Sequence, residues 1–200
     1  FRGQLLAGDF QNALVARVFL EKINGEYQGA VFPFLNGFRS GVNRLSYGPD
    51  GCLYVGGLQR TWASIAPDPA SLERLTFNGN TPFSIRKAEA KPDGFLLTFT
   101  EPAKPSAADP DNFDVSQFRY TYHSDYGSPR FNHAGEKDSQ TPIEVTDATL
   151  SANRLELRLS LREWREGHVT QGRCFDMISE AGKALWHTTF HYTLNQIPKP

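Results

Sequence analysis

The chain has 200 residues, 39% of them hydrophobic and 12% aromatic, with 21 Lys and Arg against 22 Asp and Glu. That composition excludes a disordered polypeptide and is enough for a core built without metals or disulfides. A formal net charge of -1 gives no basic footprint for nucleic acid or an anionic membrane, and no apolar run reaches the length of a membrane-spanning helix.

The first residues already alternate like a strand, from Gln4 to Gly8, with no initiator Met or charged leader ahead of them. The sequence is therefore read as a piece of a longer protein. A second strand is predicted over Ala13 to Glu21 and a third over Glu26 to Phe34. Asn24-Gly25 joins them, the strongest short hairpin signal. Val42 to Tyr47 and Cys52 to Gly56 flank Gly48-Pro49-Asp50-Gly51. There Pro presets φ, Asp can bond its own backbone and Gly permits φ > 0. Gln59 to Ser71 carries prolines and reads as a loop at a sheet end, where binding loops tend to sit. A sixth strand is expected over Leu72 to Phe77.

Composition shifts after Asn80, and a two-unit division is expected there, 1–80 and 81–200. The second stretch offers Phe83 to Ala90 and Phe95 to Thr100 around another Pro-Asp-Gly turn. A Pro-, Ala- and Asp-rich surface connection follows over Glu101 to Asn112. Further strands are predicted at Phe113 to His123, Ile143 to Leu150, Arg154 to Leu161, Val169 to Met177 and Trp186 to Leu194. Leu155, Leu157 and Leu159 alternate with polar residues, the mark of a half-buried strand. Helix signals are confined to one turn near Leu161 to Glu166. The fold class expected is all-β, with a blade-like antiparallel sheet followed by an immunoglobulin-like β-sandwich.

Candidate chemistry is sparse. Cys52 and Cys174 lie far apart and read as buried small hydrophobes, not as a disulfide. His187 and His191 share a strand face but stand about 13 Å apart, too far for one ion. His123 beside Asp125 reads as a solvated loop pair. Asp9, Asp50 and Asp93 are explained by turn chemistry. No catalytic or metal-ligating residue is assigned. The binding candidates are Tyr120 and Tyr122, expected on one strand face, with Tyr126 in the loop after them, and Trp62 and Arg60 in the proline-bearing loop. Aromatic faces beside amides and carboxylates suit sugar recognition, and equally suit packing.

The run from Gly41 to Gly56, GVNRLSYGPDGCLYVG, resembles the blade motif of the glucose/sorbosone dehydrogenase-like β-propellers, and Gly3 to Asp9 resembles a blade strand. The whole chain is similar to the end of large bacterial multidomain dehydrogenases of that kind, with an immunoglobulin-like domain after the propeller. Tyr120 to Pro129 and Tyr192 to Pro198 resemble that second domain. The resemblance implies a periplasmic or extracellular parent, PQQ and calcium as its cofactors, sugar oxidation, and the remaining domains as partners. Such oxidation needs a base and a cation. Arg44 and Arg60 are cations, but no His precedes His123, so no catalytic residue is carried over. Two readings stay open. One is a non-catalytic β module of a larger dehydrogenase-like or carbohydrate-active protein. The other is a carbohydrate-binding or PQQ-dependent sugar-oxidising unit.

Overall fold

A computed structural model describes residues 1–59 and 63–199. These residues form fourteen β-strands and two 3-10 turns, with no α-helix among them. The strands are β1 Leu5–Asp9, β2 Leu14–Ile23, β3 Glu26–Leu35, β4 Val42–Tyr47, β5 Leu53–Leu58, β6 Ala70–Leu75 and β7 Ile85–Lys91. They continue as β8 Gly94–Phe99, β9 Phe113–Phe118, β10 Thr141–Ile143, β11 Val145–Leu150, β12 Glu156–Leu161, β13 His168–Cys174 and β14 Thr189–Leu194. The sheets are antiparallel and none closes on itself. The helical turns fall at Pro105–Ala107 and Pro110–Asn112, each started by a proline whose fixed φ suits a first helical position. Leu161 to Glu166, the expected helical site, instead leaves β12 through bends.

The chain divides into two compact units, Phe1–Val18 with Val31–Thr81, and Phe19–Ala30 with Pro82–Pro200. The long hairpin β2–β3 thus gives its base to the first unit and its tip to the second. Asn24 and Gly25 at the tip both take positive φ, 49° and 93°, the type I′ geometry that matches strand twist.

In the first unit β1 pairs with β2, and β4, β5 and β6 form a three-stranded meander. Ala13, Val15, Phe38, Val42, Leu53, Val55 and Ala66 make its core, with Leu6, Phe34, Leu35, Leu45 and Leu75 packed around them. Phe34 and Val15 therefore serve this unit's own interior, whereas Val31 is exposed. Strict alternation along β2 also turns Arg17 inward, where it is 1% exposed. The guanidinium is held between the rings of Phe1 and Phe32, 4.1 and 4.3 Å from their centroids, and donates to Gln4. Burial lowers its pKa to about 10, so it stays cationic at neutral pH.

The second unit has two facing sheets. One runs β3–β14–β13–β9–β10, with β2 beyond β3; the other runs β11–β12–β8–β7. Period-2 patterning sends Phe95, Leu97 and Phe99 of β8 and Phe190, Tyr192 and Leu194 of β14 into the space between. Phe95 meets Phe190, Tyr192 and Trp164 edge-on at 5.0 to 5.7 Å. Gly94 lets β12 approach: a Cβ there would stand 2.1 Å from the Leu159 carbonyl oxygen. The tip of the hairpin is fastened by polar groups. Tyr192 Oη donates to Glu21 Oε1 at 2.5 Å and accepts from Gln28 Nε2 at 2.8 Å, while Gln28 Oε1 accepts from the backbone of Asn195 and Gln196.

Candidate functional site

The Pro-Asp-Gly turn between β4 and β5 is built around Asp50. Gly51 N donates to Gly48 O at 3.0 Å and Gly48 N to Cys52 O at 2.9 Å, which closes the hairpin. The Asp50 carboxylate accepts from Cys52 N at 3.1 Å, Tyr54 Oη at 3.1 Å and Arg74 Nε at 2.9 Å. These bonds, that from Cys52 foremost, hold its pKa down to about 2. Asp50 is thus spent on the turn. Arg44, on β4, donates to its neighbour Asn43 from an exposed position. Neither arrangement converges donors as a calcium–quinone site requires, and among the described residues no group of three or more His, Cys, Asp or Glu could hold a metal ion. Asp50 and Arg44 are therefore not arranged to hold PQQ and calcium.

Arg60 and Trp62 lie outside the described residues. The loop that flanks them is tied down at both ends. Ile65 N donates to Gln11 O at 2.9 Å, Asp68 N to Arg39 O at 2.8 Å, and Gln59 N to Pro69 O at 2.7 Å.

The tyrosines are placed differently from expectation. β9 ends at Phe118, where its register with β13 stops, and Arg119 pairs instead with Phe131. Tyr120, Tyr122 and Tyr126 therefore sit on a loop, not on a strand face, and all three are exposed. Tyr120 keeps an edge contact to Phe118 at 5.3 Å. Likewise β14 begins at Thr189, so His187 precedes the strand that carries His191; its ring stacks on Trp186 at 4.8 Å. His123 accepts at Nδ1 from Asp125 N at 3.1 Å, a local loop bond.

What converges near Tyr120 is a polar cluster on an aromatic floor. Phe118 is 1% exposed, covered by Tyr120, by His191 at 6.5 Å and by the Arg130 guanidinium, 4.2 Å over its ring. Arg130 Nη1 points at Gln171 Oε1 at 3.3 Å and Gln140 Oε1 at 3.4 Å. Gln171 and His191 are direct partners across β13 and β14, and His191 Nε2 lies 3.2 Å from the same Gln171 oxygen. An oxygen facing Arg130 can only accept, so Nε2 carries the proton. Burial first, then Arg130 and Arg173, lowers the His191 pKa, which keeps the ring neutral near pH 7. Beside this cluster opens a cleft of about 340 Å³ lined by Arg130, Asp138, Ser139 and Gln140.

A second group sits on the same unit. Gln117 is fully buried; its Nε2 donates to Arg165 O and Thr170 Oγ1, and its Oε1 accepts from Arg165 N and faces His133 Nε2 at 3.0 Å. The ring of His133 meets that of His168 edge-on at 4.7 Å. Its partners make this a braced corner between β9, β13 and the loop after β12.

Arg130, Gln140, Gln171 and His191 carry no common sequence signal. The alternation of β13 and β14 marks Gln171 and His191 as facing away from the core, but only the loop folded over them makes a cleft. No family model, curated protein or solved structure matches the chain.

Proposed function

We propose that the chain is a non-catalytic β module of a larger extracytoplasmic, dehydrogenase-like or carbohydrate-active protein, and that its second unit binds saccharide. In this reading residues 1–80 are blade-like and 81–200 are an immunoglobulin-like sandwich, with the parent protein's other domains as partners. The β4–β5–β6 meander with its Asp50-locked turn supports the first half, since a propeller blade is an antiparallel meander of four strands and this sheet supplies three in that order.

The cleft beside Arg130 carries the saccharide reading. It offers a guanidinium, an amide, a hydroxyl and a carboxylate within one small concavity, the donor and acceptor mixture that fixes a polyhydroxylated ligand. Its hydroxyl, Ser139, accepts from Asn132 Nδ2 at 3.2 Å, and the neighbouring imidazole, His191, is turned to Gln171. These are recognition groups and not a nucleophile with its base.

Two measurements on the full chain test the proposal. Calorimetric titration with oligosaccharides should show binding. Dye-linked oxidation of aldoses and sugar alcohols, with PQQ and calcium added, should stay at the level of a heat-killed control. Turnover clearly above that control, or no saccharide bound, would overturn it.

A further inference from the structure

We infer that the cleft beside Arg130 recognises a sugar bearing a carboxylate, a uronate in chemical class. The inference rests on the saccharide reading above and names the ligand chemistry that reading leaves open.

Arg119, over the Phe131 ring, and Arg130 are both arginines of this unit that face no carboxylate, and of the two it is Arg130 that lines the cleft. Arg154, Arg158, Arg162 and Arg173 of the same unit each face a carboxylate. Arg130 faces two neutral amide oxygens at 3.3 and 3.4 Å, long for an N–H···O bond. No carboxylate of the described residues lies within 4.0 Å of it. The positive charge is half-buried, stacked on Phe118 and held beside a neutral imidazole, and Asp138, on the same cleft, is not in direct ion-pair contact with it. A guanidinium has five donors in a planar fork that matches a carboxylate two bonds at a time, and stacking on the ring fixes the plane of that fork in advance.

The other lining groups narrow the ligand. Asp138 is an exposed carboxylate on the same cleft. It opposes a bare anion but accepts from hydroxyls. Ser139 and Gln140 add further donors and acceptors. A ligand with a carboxylate at one end and hydroxyls at the other satisfies Arg130 and Asp138 together. A neutral sugar leaves Arg130 uncompensated, and a plain carboxylate gains nothing from Asp138. At about 340 Å³ the cleft lies at the small end of ligand sites, roughly 300–1,000 Å³, which suits a single ring with its neighbours in solvent.

The test titrates the full chain with three probes: a uronate oligosaccharide, the neutral oligosaccharide of the same linkage, and acetate. The parent should bind the uronate and prefer it to both others. Arg130→Gln should lose on the order of tenfold or more in uronate affinity, since it removes a charge-assisted bond. Arg130→Lys should recover only part of that. Asp138→Asn, at an exposed position, should raise affinity for acetate while lowering that for the uronate. Equal binding of the neutral and acidic oligosaccharides, unmoved by either Arg130 substitution, would overturn this inference and leave the saccharide reading standing. Acetate bound as tightly as the uronate, and lost in Arg130→Gln, would keep an anion site but overturn both the sugar assignment and the saccharide reading. Binding of none of the three overturns both. If Arg130→Gln melts well below the parent, the Asp138→Asn pair of shifts decides the matter.

Discussion

The ionised state of Asp50 is held first by the backbone N–H of Cys52, then by the side chains of Arg74 and Tyr54. A carboxyl whose folded pKa is depressed stabilises the fold fully above its ordinary value and loses that contribution as pH falls through the folded one. The window here runs from 3.8 down to about 2. Asp50→Asn should therefore lower the melting temperature of the first unit near neutral pH, and the gap to the parent should narrow across that window. A gap that is constant down to pH about 2 would mean the charge contributes nothing. Cys174 behaves in the opposite sense. Burial pushes its thiol up to about 12, and both cysteines are free and buried. A thiol reagent at mildly alkaline pH should leave Cys174 unlabelled in the folded protein and modify it in denaturant; ready labelling of the native form would show that its surroundings open. Both residues were legible in the sequence, Asp50 from its turn and Cys174 from the bland reading of a lone thiol.

At the scale of elements, the hairpins were the most legible part. Asn24-Gly25 and the two Pro-Asp-Gly turns declare themselves because each turn type admits few residues. Strand ends were less so. Tyr120 and Tyr122 continue the alternation of β9, yet the strand stops at Phe118 because its ladder with β13 ends there and the next residue, Arg119, turns to a single bridge with Phe131. Alternation records a side chain's face, not whether a neighbour is there to pair. The polar clasp on the β2–β3 tip was equally hidden, since Glu21 and Gln28 are far in sequence from Tyr192. Tyr192→Phe removes both bonds of that clasp and leaves Glu21 short of a donor; it should cost about 1–3 kcal/mol in denaturant unfolding. An unchanged midpoint would mean that water replaces the hydroxyl. Gly94→Ala tests the sheet from the other side. The added methyl meets the Leu159 carbonyl, and a loss of about 1–3 kcal/mol is expected in the same assay.

For the whole molecule, the all-β class followed from period-2 patterning and turn spacing. The candidate cleft did not. Arg130, Gln140 and Gln171 come together only because β13 carries Gln171 outward beneath a loop that leaves the sheet at Phe118 and returns at Phe131. The linear division near Asn80 also misses the tip of the hairpin. The chain passes from one unit to the other at Val18/Phe19, Ala30/Val31 and Thr81/Pro82, three times and not once.

That threefold passage makes Pro82 a poor place to cut. A polypeptide beginning there lacks Phe19–Ala30, and with it the strand that neighbours β14. Its β14 would become an open edge beside Phe190, Tyr192 and Leu194, a template for pairing with another copy. Such a truncated chain should run as oligomers or precipitate. A synthetic Phe19–Ala30 hairpin added in trans should bind as the missing strand, restore the clasp of Glu21 and Gln28 on Tyr192, and return a monomer on size-exclusion chromatography. A truncated chain that is monomeric and indifferent to the peptide would show that the second unit folds without borrowing it.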